Sequence, residues 1–250
     1  SYYRDPNITA VEPRAGPSDG GTHVVVRGAG FGAFTSPDAR AACRFGDVAV
    51  PLNVFNDTAG ECVAPRRAEL AVPPVPGWYL QVPVRLALNG QDFGPEPPPS
   101  AAAAFTYYAP PRVLSTWPHG GADGGGTNVS FEAEGLPMGG AARAAASGPT
   151  APKCVFGNAS KLGWVQNATD HGSVLAARDA DARWSFLGGW DERGGWCLLP
   201  RMFEGSLSAS RTVDFAVALN GQDVGGGAGD ASGSVAFVVF PQPSLLAGDA

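Results

Sequence analysis

The clearest alternation of apolar and polar residues lies at residues 77–88. Four apolar side chains recur there at every second position: Val82, Val84, Leu86 and Leu88. Because successive side chains of a strand point to opposite faces, these four share one face of a predicted half-buried strand. The Asn89-Gly90 pair that follows is typical of a two-residue β-hairpin turn, since both residue types tolerate positive φ.

Other short apolar segments have strand character and are separated by clusters of turn residues. Residues 22–27 are rich in β-branched side chains and follow the turn sequence GPSDGG, while residues 104–108 predict a closing strand. A further strand region spans residues 45–55 and is interrupted by Pro51. The stretch 141–146 has helical propensity, but glycines bracket it. The pattern therefore predicts an all-β protein.

The chain carries this pattern twice. Gly21-Thr22 matches Gly126-Thr127 at an offset of 105 residues, and the sequence Cys-x-Phe-Gly occurs at residues 43–46 and 154–157. The sequence Ala-Leu-Asn-Gly-Gln-Asp at residues 87–92 recurs at residues 218–223. A repeat of this extent indicates two copies of one domain, so function is expected from the row of domains and its surface.

The repeat sets the expected domain boundaries. We predict two tandem β-sandwiches, at residues 1–108 and 109–243, with residues 244–250 as a tail or the start of a further repeat. Residues 1–3 resemble the end of an earlier copy, so the chain is expected to be a piece of a longer row. Chance similarity of short termini is the alternative.

Composition narrows the class of protein further. The 250 residues include 35 glycines and 23 prolines, yet 44% are apolar, which is typical of folded, turn-rich β structure. The formal net charge is −6 and no basic cluster is present, so we expect no nucleic-acid partner. No apolar run has the length of a membrane span, so no direct membrane insertion of this segment is expected.

The four cysteines occur as two per copy, at equivalent positions. Three pairings are formally open, and repeat symmetry favours Cys43 with Cys62 and Cys154 with Cys197. Buried free thiols are the alternative. A zinc site is less favoured, since neither copy contains a CxxC pair or neighbouring histidines. We therefore expect no metal and no cofactor, and one internal disulfide in each domain.

Asparagine usage points to the secretory pathway. Five of the eight asparagines begin an N-x-S/T triplet: Asn7, Asn56, Asn128, Asn158 and Asn167. Such triplets accept N-linked glycans when the chain enters a secretory lumen and the asparagine is exposed. Together with paired cysteines they predict an extracellular or cell-surface glycoprotein.

The order of motifs resembles that of IPT/TIG domains, the immunoglobulin-like modules of plexins, related receptors and some transcription factors. In the first copy the matching positions are Pro6, Pro13, Gly16-Pro17, Gly20-Gly21-Thr22, Gly28, Phe31, Cys43, Phe45-Gly46, Cys62 and Pro65. The second copy departs more, with Gly120-Gly121 in place of the Gly-Pro pair. It also has an Ala/Gly-rich insertion at residues 138–152 and a long loop at residues 164–190. The resemblance implies two tandem immunoglobulin-like sandwiches.

No motif in the chain indicates catalysis. His171 follows Asp170 and lies near Ser173, but no GxSxG sequence supports a hydrolase triad, and we expect no catalytic residue. The Asp170, Asp179 and Asp181 group lacks the spacing of a calcium loop and is expected to be solvated.

The second copy is rich in tryptophan. Candidate interface residues are Trp164, Trp184 and Trp190, with Trp196 close by. Aromatic side chains often anchor protein interfaces. They also pin long insertions to a fold, and this second role is the favoured interpretation of the cluster.

These observations favour a non-enzymatic structural or adhesion segment: a stiff spacer and protein-interaction scaffold, for example in a filament or surface coat. Its expected partners are other protein chains, further repeats of the same protein, and N-linked glycans. A receptor ectodomain stalk is one alternative, and an accessory module of a carbohydrate-active enzyme is another. A catalytic domain in flanking sequence would favour the last, whereas more copies of the repeat would favour the spacer.

Overall fold

A computed structural model of the chain describes residues 5–33, 40–70, 79–95, 102–136, 151–157, 162–166, 173–177, 183–203, 207–224 and 233–243, with only the backbone at 162–166 and 173–177. Within these ranges the regular structure is β-strand, apart from two short 3₁₀ turns at Phe31–Ala33 and Arg67–Glu69. The alanine-rich stretch 141–146 lies outside the described residues. A search of the described part for a helix long and apolar enough to cross a membrane finds none.

The first domain has eight strands in one continuous hydrogen-bonded order. They are β1 (Asn7–Glu12), β2 (Ala15–Pro17), β3 (His23–Ala29), β4 (Ala42–Phe45), β5 (Val48–Asn56), β6 (Ala59–Val63), β7 (Tyr79–Ala87) and β8 (Ala104–Tyr108). Their order is β1-β3-β6-β5-β4-β7-β8-β2, and β2 and β8 are parallel. Strand β5 pairs with β4 through residues 48–51 and with β6 through residues 52–56. The sheet therefore folds over along β5 into the two layers of a sandwich.

The core of the first domain lies between these layers. The alternation at the end of β7 is confirmed, because Val82, Val84 and Leu86 are all buried. The Phe105 ring packs edge-on against Phe45 and against Tyr107, with centroid distances of 5.4 and 5.1 Å. Edge-to-face packing of this kind adds to the stabilisation from apolar burial.

The second domain repeats the strand order of the first. Its strands are β9 (Arg112–Trp117), β10 (Gly120–Ala122), β11 (Asn128–Glu134), β12 (Lys153–Phe156), β15 (Arg183–Trp190), β16 (Gly194–Leu198), β17 (Arg211–Ala218) and β18 (Val235–Phe240). Their order is β10-β18-β17-β12-β15-β16-β11-β9, which is the order of the first domain taken from its other end. A separate hairpin is formed by β13 (Leu162–Gln166) and β14 (Ser173–Ala177) within the long loop.

Each domain contains one disulfide between its layers. Cys43 in β4 bonds to Cys62 in β6, and Cys154 in β12 bonds to Cys197 in β16. All four cysteines are buried within the two core clusters. The sulfur bridges therefore tie the facing layers of each sandwich together from inside.

Two local predictions need correction. Asn89-Gly90 does not join two adjacent strands as a two-residue hairpin, because β7 ends at Ala87 and its partner β8 begins only at Ala104. The Asn89 carboxamide instead accepts hydrogen bonds from the backbone N–H groups of Gln91 and Asp92, which favours a longer connection. The region 45–55 contains parts of two strands, and β5 continues through Pro51.

Candidate functional site at the domain junction

A polar turn of the second domain, residues 220–223, is held by its own asparagine. The Asn220 Oδ1 atom accepts hydrogen bonds from the backbone N–H groups of Gln222 at 3.0 Å and Asp223 at 2.8 Å. Its Nδ2 group donates to Asp223 Oδ2 at 2.6 Å. An asparagine side chain that satisfies nearby backbone donors fixes a turn without help from a strand ladder. We call residues 220–223 the docking turn.

The docking turn lies against the first domain. Three hydrogen bonds cross the junction: Thr22 Oγ1 donates to Asp223 Oδ2 at 2.6 Å, Asn220 Nδ2 to the Ala15 carbonyl at 3.1 Å, and Gln222 Nε2 to the His23 carbonyl at 3.1 Å. We call Ala15, Thr22 and His23 the acceptor face, because two of its three contact atoms are backbone carbonyls that accept hydrogen bonds, whereas the Thr22 hydroxyl donates. The positions of the two carbonyls are set by β2 and β3.

The junction is closely packed. Asn220 and Gln222 are only 4% and 6% exposed, and Thr22 is fully buried. Burial raises the pKa of Asp223, while the hydrogen bonds from Thr22 and Asn220 and the charge of His23 oppose that shift. With a donor–acceptor distance of 2.6 Å, the Thr22–Asp223 bond is the shortest of the three hydrogen bonds across the junction.

The Tyr108 side chain forms the apolar part of the junction. Tyr108 ends the last strand of the first domain, yet its side chain belongs to the buried core cluster of the second domain and is 5% exposed. Ala15 also packs against that cluster. Burial, followed by the charge of Asp223, raises the pKa of the Tyr108 phenol well above its ordinary value. The two domains thus share apolar contacts as well as hydrogen bonds.

A buried lysine supports the docking turn from within the second domain. Lys153 is 2% exposed and its Nζ group donates to the Gly221 carbonyl at 3.2 Å. The same ammonium lies 4.5 Å from the centre of the Trp184 ring, a cation–π arrangement. Burial lowers the pKa of Lys153 to about 8. Composition and spacing gave no sign of this role, because a lone lysine beside a cysteine has no recognisable motif.

The three candidate interface tryptophans have different environments. Trp184 is 38% exposed and covers Lys153, so it supports the docking turn as well as facing solvent. Trp190 packs against the core of the second domain. Trp164 occupies β13, and its side chain lies outside the described residues. An interface formed by these three tryptophans therefore stays a prediction.

An apolar stripe that sequence reasoning missed crosses the outer face of the second domain. Trp117 in β9 and Trp196 in β16 both pair in register with Ser130 of β11, so all three point to the same side. Trp117 is 72% exposed, Trp196 42% and the neighbouring Leu198 49%. At the equivalent positions of the first domain, Trp117 and Trp196 are replaced by glutamates. We call Trp117, Trp196 and Leu198 the outer stripe.

The glycosylation triplets that fall in the described part are on the surface. Asn7, Asn56 and Asn128 are all exposed, at the start of β1, the end of β5 and the start of β11. Asn158 and Asn167 lie outside the described residues. Glycosylation of these three asparagines stays a prediction, with which their surface position is compatible.

The histidines in the described part of the chain contact neighbouring side chains. His23 Nδ1 lies 3.3 Å from Glu61 Oε1, and the His119 ring packs edge-on against Trp117 at 5.8 Å. His171, Asp170, Asp179 and Asp181 lie outside the described residues, as does the side chain of Ser173. Within the described part, no group of three or more His, Cys, Asp or Glu residues is placed to hold a metal ion.

Comparison with known proteins finds a family model that matches the first domain and a solved structure that shares the fold of the chain. The IPT/TIG domain family model matches residues 6–105. The full extracellular region of plexin A4, domains 1 to 10, aligns with 98% of this chain at a TM-score of 0.54 and 13% identity. This chain spans only 17% of that plexin chain. At such low identity the likeness shows the fold alone.

Two further structures align less well. A second structure of the plexin A4 extracellular region, with domains 1 to 8, aligns with 94% of this chain and over 27% of its own length. Its TM-score is 0.31 and its identity 12%. The IG1 and IG2 domains of DIP-gamma align with 95% of this chain and over 96% of their own length. Here the TM-score is 0.26 and the identity 8%. No curated protein sequence matches the chain.

Proposed function

Since residues 6–105 form an IPT/TIG domain and the second domain repeats its strand order, we propose that the chain is a non-enzymatic structural and adhesion segment of an extracellular or cell-surface glycoprotein. In this role it is a stiff spacer that holds neighbouring domains at a fixed angle and presents interaction surfaces. A filament or surface coat built from such chains is a natural setting. The plexin A4 region that shares its fold is itself extracellular.

The contact between the docking turn and the acceptor face is the observation that supports the spacer proposal. A flexible linker alone would let two sandwiches change their relative angle. Here, three hydrogen bonds with donor–acceptor distances of 3.1 Å or less and the buried Tyr108 side chain oppose such motion. Two prolines, Pro110 and Pro111, further restrict the connection. The junction therefore has the contacts that a spacer of defined angle requires.

A distance measurement between the domains tests the spacer. Nitroxide labels at Asn53→Cys and Glu132→Cys, both exposed strand positions, report one distance across the junction. We expect a single narrow distribution, and a broad one when Asn220→Ala and Gln222→Ala are added. The matched control carries Asn89→Ala and Gln91→Ala in the equivalent turn of the first domain and should stay narrow. A broad distribution in the otherwise unaltered chain would contradict the spacer proposal.

The extracellular setting is supported by the surface position of the described sequons and by one disulfide in each sandwich. Glycopeptide and disulfide mapping by mass spectrometry of the native protein tests it. We expect glycans on Asn7, Asn56 and Asn128 and both disulfides intact. Bare asparagines together with free thiols would remove the extracellular assignment.

The outer stripe supports the interaction part of the proposal. Exposed aromatic side chains in one row are typical of surfaces that bind another protein. A photo-crosslinking residue at Trp117 tests this in the native assembly, with the same residue at Asn53, exposed on β5 of the first domain and away from the outer stripe, as control. We expect crosslinks to another protein chain from position 117 in excess over position 53. Equal yields from the two positions would argue against an interface here.

A further inference from the structure

One glycosylation triplet lies on the same sheet face as the outer stripe. Its first and third residues, Asn128 and Ser130, both point outward from β11, because successive side chains of a strand alternate in direction. Asn128 pairs in register with Leu198, while Ser130 pairs with Trp196 on one side and with Trp117 on the other. Residues that pair directly across a ladder point to the same side. The triplet is therefore set among the three apolar side chains of the outer stripe.

The distances across this face are short. Side chains directly opposite each other in an antiparallel ladder have Cβ atoms about 4.5–5.5 Å apart, and diagonal neighbours lie about 7–8 Å apart. Leu198 is the direct neighbour of Asn128, and Trp196 is its diagonal neighbour. A glycan attached to the Asn128 amide therefore has two apolar side chains within reach of its first sugars.

The Trp196 ring rests on two glycines of β15. Gly189 pairs with Trp196, and Gly188 lies where the register of the two strands shifts. A Cβ atom at Gly188 would overlap the indole, so the ring fills the space that a side chain would take there. The ring thus packs against backbone and remains 42% exposed. We call Trp196 and Leu198 the apolar platform.

The equivalent position of the first domain has no glycosylation triplet. There, His23 replaces Asn128, and its Nδ1 atom lies 3.3 Å from Glu61 Oε1. Glu61 is the counterpart of Trp196. The acceptor asparagine and the tryptophan beside it therefore occur together in one domain, and ionisable residues replace both in the other.

This face is separate from the contact between domains. In the first domain, Gln222 bonds the backbone carbonyl of His23, while the His23 side chain stays 31% exposed. Val63, the counterpart of Leu198, is 44% exposed beside the same junction. The positions of Asn128 and Leu198 therefore belong to the outer face of the sandwich.

We propose that the N-linked glycan on Asn128 packs its first sugars on the apolar platform and shields it from water. Transfer of the glycan from a lipid-linked pyrophosphate donor forms the bond between Asn128 Nδ2 and C1 of the first N-acetylglucosamine. The transfer breaks the bond from C1 to the pyrophosphate and releases one amide proton. The axial C–H groups and the acetyl methyl of this sugar are apolar, and the negative face of an indole ring attracts such groups. Burial of both apolar surfaces stabilises the folded second domain.

The inference rests on the proposed glycoprotein function and divides the outer stripe between two partners. Trp117 lies on β9, on the other side of Ser130 from the apolar platform, and its ring packs against His119. It is 72% exposed. The contact with another protein chain is therefore assigned to Trp117, and the glycan occupies the neighbouring part of the same face.

Oxidative footprinting by hydroxyl radicals tests the inference on the full chain produced in a secretory eukaryotic host. Ser130→Ala removes the triplet but keeps Asn128, and Asn128→Gln removes the acceptor itself. In both variants, we expect the oxidation of Trp196, measured by mass spectrometry, to rise at least several-fold. The oxidation of Trp117 should change much less. Equal oxidation of Trp196 with and without the Asn128 glycan would overturn the proposal.

A matched control removes a different glycan. Asn7 faces Ala29 across its ladder, so Asn7→Gln should leave the oxidation of Trp196 unchanged. Urea unfolding gives a second readout: loss of the Asn128 glycan should raise the unfolding constant of the second domain several-fold. This effect should disappear when Trp196→Glu is also present, which introduces the residue type of the first domain. A glycan effect of equal size in both backgrounds would also overturn the proposal.

Glycopeptide mapping separates this inference from the proposed function. If Asn128 carries a glycan and Trp196 gains no protection, only the inference falls. If Asn128 is bare while Asn7 and Asn56 carry glycans, the inference falls and the glycoprotein assignment stands. Bare asparagines at all three positions, together with free thiols, would count against both.

Discussion

Thr22 and Asp223 are 201 residues apart in the chain and meet at 2.6 Å, where the Thr22 hydroxyl donates to Asp223 Oδ2. Thr22 lies in the turn that leads into β3, and Asp223 closes the docking turn of the other sandwich. The same carboxylate oxygen accepts from Asn220 Nδ2. One side chain thus stabilises both its own turn and the angle between two domains.

Loss of the Asp223 carboxylate should loosen the junction. Asp223→Ala removes the bonds from Thr22 and Asn220 and leaves the buried Thr22 hydroxyl without its acceptor. We expect a loss of about 1–3 kcal/mol from the free energy of unfolding, measured by urea titration. Asp92→Ala is the matched control, since it removes the equivalent bond within its turn but no contact between domains. Equal losses in the two variants would show that the Thr22 bond adds nothing.

Removal of the Tyr107 hydroxyl should weaken the first domain alone. The Tyr107 hydroxyl donates to the Pro65 carbonyl at 3.0 Å in a buried position. Tyr107→Phe leaves that carbonyl without its donor. We therefore expect the free energy of unfolding of the first domain, measured by thermal denaturation, to fall by about 1–2 kcal/mol. Tyr79→Phe is the control, because Tyr79 is 38% exposed. An unchanged transition in Tyr107→Phe would refute the role of the hydroxyl.

The repeat in the sequence explains why the sandwiches were predictable. Alternation at Val82, Val84 and Leu86 reflects burial against the core, a requirement that each copy must meet by itself. Thr22 and Cys43 have counterparts because the same local geometry recurs. A pattern of this kind is visible along the chain because it is set by the period of the strand.

The hydrogen bonds between the two domains could not be predicted from the sequence, and the reason is physical. Two of its acceptors are the carbonyls of Ala15 and His23, and backbone carbonyls have no sequence signature. The Asn-Gly pair at residues 89–90 was interpreted as a hairpin because its dihedral preference was considered without the capping role of the asparagine side chain. The exposure of Trp117 depends on which face of β9 meets solvent, and a single tryptophan near a strand end does not reveal that.

The two disulfides should differ in their contribution to stability. Their sequence separations are 19 residues for Cys43–Cys62 and 43 residues for Cys154–Cys197. Replacement of either pair by serine should cost about 2–5 kcal/mol in its own domain. In the chain-entropy model the longer loop adds about 0.7 kcal/mol to that cost. Urea unfolding of the two paired variants, followed domain by domain, measures the difference. A smaller loss for the Cys154–Cys197 pair would show that loop length does not dominate.

The burial of Lys153 should make the stability of the second domain increase with pH. Its folded-state pKa is about 8, against about 10.4 for an unfolded lysine. Between these values the unfolded chain keeps a proton that the folded chain has released, so the free energy of unfolding rises with pH. Below about pH 7 both states are protonated, and this contribution becomes constant.

Urea unfolding of the second domain between about pH 7 and pH 9.5 tests the lysine. The upper limit keeps unfolded tyrosines, with a pKa of about 10, largely neutral. We expect the free energy of unfolding of the second domain to rise across this window in the unaltered chain, and to rise much less in the Lys153→Met variant. The first domain is an internal control, since residues 1–108 contain no lysine. If Lys153→Met kept the full slope of the unaltered chain, another group would carry the pH dependence. The buried ammonium would then not be the ionisable support of the docking turn.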